Sequence, residues 1–152
     1  MNAIVAIATV TGVLVAAGAL LVALKGVRDQ LWLHTFSEYT RRYSDIVQGL
    51  PAESRRPGSH FSLEKLEPSE RGRVLNAARG YLNLCSEEFY LHERGRIDDT
   101  TWAIWRQGMV ETLRLPWMQE TWSDLQAEYS YFDDFCIFIQ TCIEKTSRDS
   151  AV

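Results

Sequence analysis

Residues 2–24 read NAIVAIATVTGVLVAAGALLVAL, and no charged side chain interrupts them. Only Asn2, Thr9 and Thr11 are polar there. A helix of this composition has no polar face to turn to water, so the stretch predicts a membrane span. A hydrocarbon core of about 30 Å needs roughly 20 residues rising about 1.5 Å each, which this run supplies with room for tilt. A cleavable secretory signal would instead show a basic start and a shorter apolar run. No Lys or Arg precedes Lys25.

The charges beyond the span give it a direction. Lys25, Arg28, Arg41 and Arg42 follow closely, while only Met1 and Asn2 lie on the other side. The positive-inside rule then expects the N-terminus outside and the remainder in the cytoplasm of a bacterial inner membrane. Three cysteines, Cys85, Cys136 and Cys142, suit a reducing compartment better than a disulfide framework. Residues 25–97 carry 12 basic and 10 acidic side chains, whereas residues 98–152 carry 4 and 10. An anionic leaflet attracts the first part and repels the second. Nucleic acid, which calls for a clustered basic face, is not expected as a partner.

Working outward, Leu31, Phe36, Tyr39, Tyr43, Ile46 and Leu50 recur at helical spacing, which predicts a juxtamembrane helix over about residues 27–49. Trp32 belongs either at the headgroup level or in a protein core. Residues 51–68 hold three of the four prolines and read as a loop, either mobile or an interaction element. Pro68-Ser69-Glu70 opens a second helix, whose apolar stripe is Leu75, Ala78, Leu82, Cys85, Phe89 and His92; Gly95 stops it. Asp98 caps a third helix, with Ile97 and Trp102 placed as a hydrophobic staple. Pro116 ends that helix and starts a shorter one. The last helix, about residues 131–145, has a core face of Phe132, Phe135, Cys136, Ile139, Cys142 and Ile143. Ile137 and Phe138 fall outside that face, and a helix apolar on most of its circumference is either central in a bundle or covered by a second protein. Residues 146–152 read as a frayed tail.

The expected fold is therefore all-α: one N-terminal transmembrane helix followed by a four- to five-helix bundle. The expected segments are an anchor at 1–24, a juxtamembrane helix at 25–50, a loop at 51–68, a helical domain at 69–145 and a tail at 146–152.

Few residues point to chemistry. Glu88 and His92 lie one turn apart, but the other histidines, His34 and His60, are in the stem and the loop. No ligand set assembles from helices, so no metal is expected. Cys136 and Cys142 lack metal-ligand spacing and a cationic neighbour, so both read as packing residues. No nucleophile setting or Gly-rich phosphate loop is present, so neither enzyme activity nor a cofactor is expected. Within the span, Ala8, Gly12 and Ala16 form a small-residue face that lets two helices approach, a route to a homo-oligomer. Asn83 and Glu87, one turn apart, can bond along their helix, and the Glu87 carboxylate can also reach across to a neighbouring helix or to Arg79, setting helix register or forming part of a binding site.

Leu82-Asn83, Glu87-Glu88 and Arg94-Gly95-Arg96-Ile97-Asp98, followed by a Trp-bearing helix, resemble a widespread family of small bacterial proteins of unknown function. Many of its members carry one N-terminal span and a cytoplasmic helical domain. The resemblance covers roughly residues 30–140 and implies an architecture without an activity. The resulting expectation is a membrane-tethered interaction module that holds a protein partner or a second copy near the bilayer. The alternative is a membrane-anchored sensor or effector of a stress or phage-defence response that acts through oligomerisation.

Overall fold

The computed structural model describes residues 2–56 and 60–149, with the side chains of residues 2–15, Asp29 and residues 145–149 outside the description. Among the described residues the chain is helical, without a strand. Five α-helices follow in order: α1 (Asn2–Gln48), α2 (Pro68–Glu93), α3 (Asp99–Leu113), α4 (Pro116–Leu125) and α5 (Asp133–Asp149). Short 3₁₀ turns lie at Ala52–Arg55, Leu63–Lys65 and Gln126–Tyr129. The chain divides into two compact units, Met1–Arg41 and Arg42–Val152.

In the first unit, Gly26 does not interrupt α1. Trp32 stacks on Phe36 of its own helix, with centroids 5.1 Å apart, and Arg41 pairs with Glu38 at 2.7 Å. Among the described residues no helix is long and apolar enough to cross a membrane. The expected span over 2–24, with Ala8 and Gly12 of its small-residue face, rests mostly on side chains outside the described residues. Ala16 is described, and exposed.

The second unit is a helical bundle whose ends are set by local chemistry. Pro68 lies in the first turn of α2, where its missing N–H costs nothing. Gly95 closes the same helix with φ at +62°. Arg96 N–H donates to the Leu91 carbonyl and Gly95 N–H to the His92 carbonyl, both at 2.8 Å, the paired bonds of a Schellman cap. Three residues later Asp98 accepts from the Thr100 and Thr101 N–H groups at 3.1 and 3.0 Å, and from the Thr101 hydroxyl at 2.7 Å. Ile97 and Trp102 are both buried in the same core cluster, as a staple requires.

The core gathers around Phe89 on α2. Its ring lies 6.2 Å from Trp102, 5.6 Å from Phe132, 5.9 Å from Phe135 and 5.0 Å from Phe138. Phe138, outside the narrow expected stripe, is half-buried against this cluster, as a helix central in a bundle requires. Phe135, Phe138 and Cys142 are spaced i, i+3 and i+7, and α5 is flanked by both α2 and α3, so its buried face is wide enough to include Phe138. Ile137 stays outside, 64 % exposed. The helix α5 also runs to Asp149, past the expected tail boundary, while residues 150–152 lie outside the described residues.

The connection after α1 is also more ordered than its composition suggests. Ser54 and Leu63 are buried, and Phe61 meets the Trp117 ring edge-on at 5.6 Å. The Trp117 indole N–H donates to the Ser54 carbonyl at 2.8 Å in a buried setting. The reason is that 3₁₀ turns satisfy part of the backbone locally and Trp117 supplies a donor across 63 residues. Replacing Trp117 with Phe leaves that carbonyl without its donor. Urea denaturation should show a loss of about 1–3 kcal/mol, with faster proteolysis at Arg55 and Arg56 under native conditions.

Candidate functional site

Three polar residues on α2, Arg79, Asn83 and Glu87, are spaced four apart and so share one face. Each reaches a different place. Arg79 holds Glu128 in a two-bond fork, Nε and the second guanidinium nitrogen at 2.8 and 2.9 Å, and bonds Asn76 at 3.1 Å. Asn83 accepts from the Tyr129 hydroxyl at 2.7 Å. Glu87 receives a second fork from Arg42 at 2.6 and 2.9 Å. The stripe thus ties α2 to the turn at Gln126–Tyr129 and to residues 42–48 of α1. Of the partners expected for Glu87, the fork from Arg42 of α1 is the one on a neighbouring helix. A guanidinium fork is charge-assisted and fits a carboxylate better than a side-chain amide does.

The hydrogen bond from Arg79 holds the Glu128 carboxyl below the usual range, and the same bond raises Arg79. Burial pushes the Tyr129 phenol up, with the nearby Glu128 charge adding to it. These groups keep their ordinary charge states at neutral pH, so the stripe is a set of closed pairs.

Beside the stripe is a groove of about 580 Å³ lined by Arg42, Asp45, Ile46, Gly80, Asn83, Glu87 and their neighbours. Tyr131 stands at its rim, 79 % exposed. Ile46 packs over Gly80, where a Cβ would meet its Cγ1 at 3.5 Å, an ordinary contact. One step along α2, Glu88 is only 9 % exposed. Burial raises its carboxyl to about 8; the Arg42 charge opposes this and the Glu87 charge adds to it.

The remaining candidates are dispersed. Asp98 caps α3, where the Thr101 hydroxyl and backbone N–H groups hold its carboxyl low. Ile137 is on the open side of α5 and Phe138 in the core. His92 does not cap a carbonyl with its ring. It stacks flat on Trp102, centroids 4.6 Å apart at 11°, and its Nδ1 is buried without a hydrogen-bond partner. Among the described residues no group of three His, Cys, Asp or Glu side chains is placed to hold a metal ion. Burial, then the Glu88 charge, pushes the Cys85 thiol well up, which keeps it protonated and unreactive.

The contacts through Arg42, Tyr129 and Trp117 were not legible as contacts beforehand. Their partners lie 45, 46 and 63 residues away, and helical periodicity carries no information at that range. The i, i+4, i+8 spacing of Arg79, Asn83 and Glu87 was a signal for the stripe, though not for its partners. No family model matches the chain, and neither a curated protein nor a solved structure matches it.

Two outcomes test this arrangement. A carboxyl raised on folding contributes stability that is fully present below its ordinary value of 4.5 and is lost as pH rises through about 8. Denaturation midpoints of the wild type should therefore decline across that window, and Glu88→Gln should flatten the decline. The carboxyls of Asp98 and Glu128 are lowered instead, so their contribution is lost at the acid end and does not overlap. Separately, a double-mutant cycle on Arg42→Ala and Glu87→Ala should give a coupling of only about 0–1 kcal/mol, since both side chains are partly solvated. A much larger coupling would mean the fork is more desolvated than it stands here.

Proposed function

We propose that the chain is a membrane-tethered helical interaction module, anchored through residues 2–24 at a bacterial inner membrane with its helical unit on the cytoplasmic side. One observation carries the reading. Along α1, Leu20, Leu21, Val22, Leu24, Val27, Leu31 and Leu33 are between 53 % and 74 % exposed. The first four close the uncharged run that starts at Asn2, and the other three follow Lys25 on the same helix. A contiguous apolar surface of this extent is rare on a protein meant to meet only water, and marks a membrane or protein interface. The first Lys at position 25 and the arginines at 28, 41 and 42 then supply the charge asymmetry that orients a span. Tethering raises the local concentration of whatever the helical unit binds, a job that needs affinity without catalysis.

The resemblance to the small single-span bacterial family fits the same reading. In native membranes the full chain should resist alkaline carbonate extraction, and removal of residues 1–24 should release it to the soluble fraction. A cysteine placed at Asn2 should react with an impermeant thiol reagent added outside intact cells, and one placed at Ser130 should not. Extraction of the full chain by carbonate would end the anchoring proposal.

A further inference from the structure

We propose that a cavity between the end of α1, α2 and the junction of α3 with α4 binds a small aromatic carboxylate. The ring enters the cavity and the carboxylate is held by Arg55. The cavity measures about 170 Å³, and its apolar wall is Val47, Leu50, Leu115 and the rings of Tyr43, Tyr81 and Trp117. An apolar cavity of about 150 Å³ accepts a benzene-sized molecule, so this volume suits a single ring and is too small for a long acyl chain. The wall also favours an aromatic guest. The Tyr43 and Tyr81 rings stand 6.3 Å apart at 60°, and rings prefer such tilted or edge-on neighbours.

The polar part of the lining is a second and independent feature. It consists of Arg55, Glu111 and Thr112, and two of these are already committed. Glu111 accepts from Gln107 at 2.8 Å and from Arg114 at 2.9 Å. The Thr112 hydroxyl donates to the Gly108 carbonyl at 3.0 Å. Arg55 alone has neither an ion pair nor a side-chain hydrogen bond among the described residues.

The backbone beside Arg55 is tied to the cavity itself. The carbonyl of Ser54, its neighbour in the chain, accepts from the Trp117 indole N–H at 2.8 Å, so the root of the Arg55 side chain is fixed relative to the aromatic wall. An apolar interior with one uncommitted guanidinium at its lining selects a ring and a carboxylate in one molecule. A cationic ring compound meets repulsion from Arg55, and a small anion without a ring leaves the apolar wall uncovered.

This goes beyond tethering by giving the helical unit a ligand, and it depends on neither the anchor nor a protein partner. The full chain, ¹⁵N-labelled at tryptophan and held in phosphatidylcholine nanodiscs, is titrated with phenylacetate. The same titration is run with acetate, which lacks the ring, and with phenethylamine, which reverses the charge. The indole cross-peak of Trp117 is identified by its absence in Trp117→Phe. Phenylacetate should shift that peak saturably, with a midpoint in the low-millimolar range or tighter. Arg55→Gln, a change at an exposed position, should weaken binding about tenfold. Arg56→Gln, a lost charge outside the cavity, should change it by no more than about threefold. Val47→Phe, which fills the cavity, should abolish the shift. The proposal is overturned if the Trp117 peak does not respond saturably, if acetate or phenethylamine moves it with the same midpoint, or if Arg55→Gln binds like wild type. It is also overturned if Val47→Phe keeps its other indole peaks in place and still binds phenylacetate. Carbonate extraction tests the tether alone, so either result can fail without the other.

Discussion

Phe89 is the point on which the helical unit turns. Its ring meets Trp102 of α3 and Phe135 and Phe138 of α5, so three helices share one aromatic contact. Such pairs contribute about 0.5–1.5 kcal/mol each beyond the area they bury, and the edge-on contact with Trp102 is directional. That direction sets the rotation of α2 about its own axis. At about 100° per residue, Ala78, Leu82 and Cys85 come round to the same inward side as Phe89. Arg79, Asn83 and Glu87 are then carried outward. The polar stripe is a consequence of the aromatic core, which sets its register.

Glu88 shows the cost of that rotation. It lies between the outward Glu87 and the inward Phe89, and the helix turns it into a nearly closed environment where a charged carboxylate loses its hydration. Arg42 stands close enough to oppose the rise in its pKa, yet the Arg42 guanidinium is already forked onto Glu87. One cation therefore serves two acids, in bonding contact with one and at longer range with the other. The desolvation of Glu88 wins, and its proton is retained to a pH well above the carboxylate range.

Local punctuation was readable in the sequence because it depends on near neighbours. Gly95, Asp98 and Pro116 act within a few residues of themselves, and their φ values and capping bonds follow from their own chemistry. The apolar stripe of α2 was readable for the same reason. What periodicity could not supply was the width of a buried face. Phe138 falls off a narrow stripe, yet it is half-buried against the core because two helices flank α5 and not one. The connection at 51–66 was illegible in a different way. Its prolines and charges read as loop, and its order comes from Trp117, far along the chain, whose indole N–H has no sequence signature. In the candidate site, Asn83 and Glu87 stood out by spacing, but their partners Tyr129 and Arg42 are properties of the assembled bundle.

The polar stripe and the tryptophan of α4 satisfy their polar groups to different degrees. Along the α2 stripe a strong donor meets a strong acceptor of the same chain three times: Arg79 with Glu128, Tyr129 with Asn83, Arg42 with Glu87. Groups paired in this way have little left to offer a ligand, and exposed pairs of this kind add modest stability. Trp122 is the opposite case: its indole N–H is buried without an acceptor, while its ring packs against Tyr129 and Phe135. Leaving a buried donor open costs stability, so the aromatic contacts and not a hydrogen bond hold that ring in place. A stripe closed on itself is best understood as architecture.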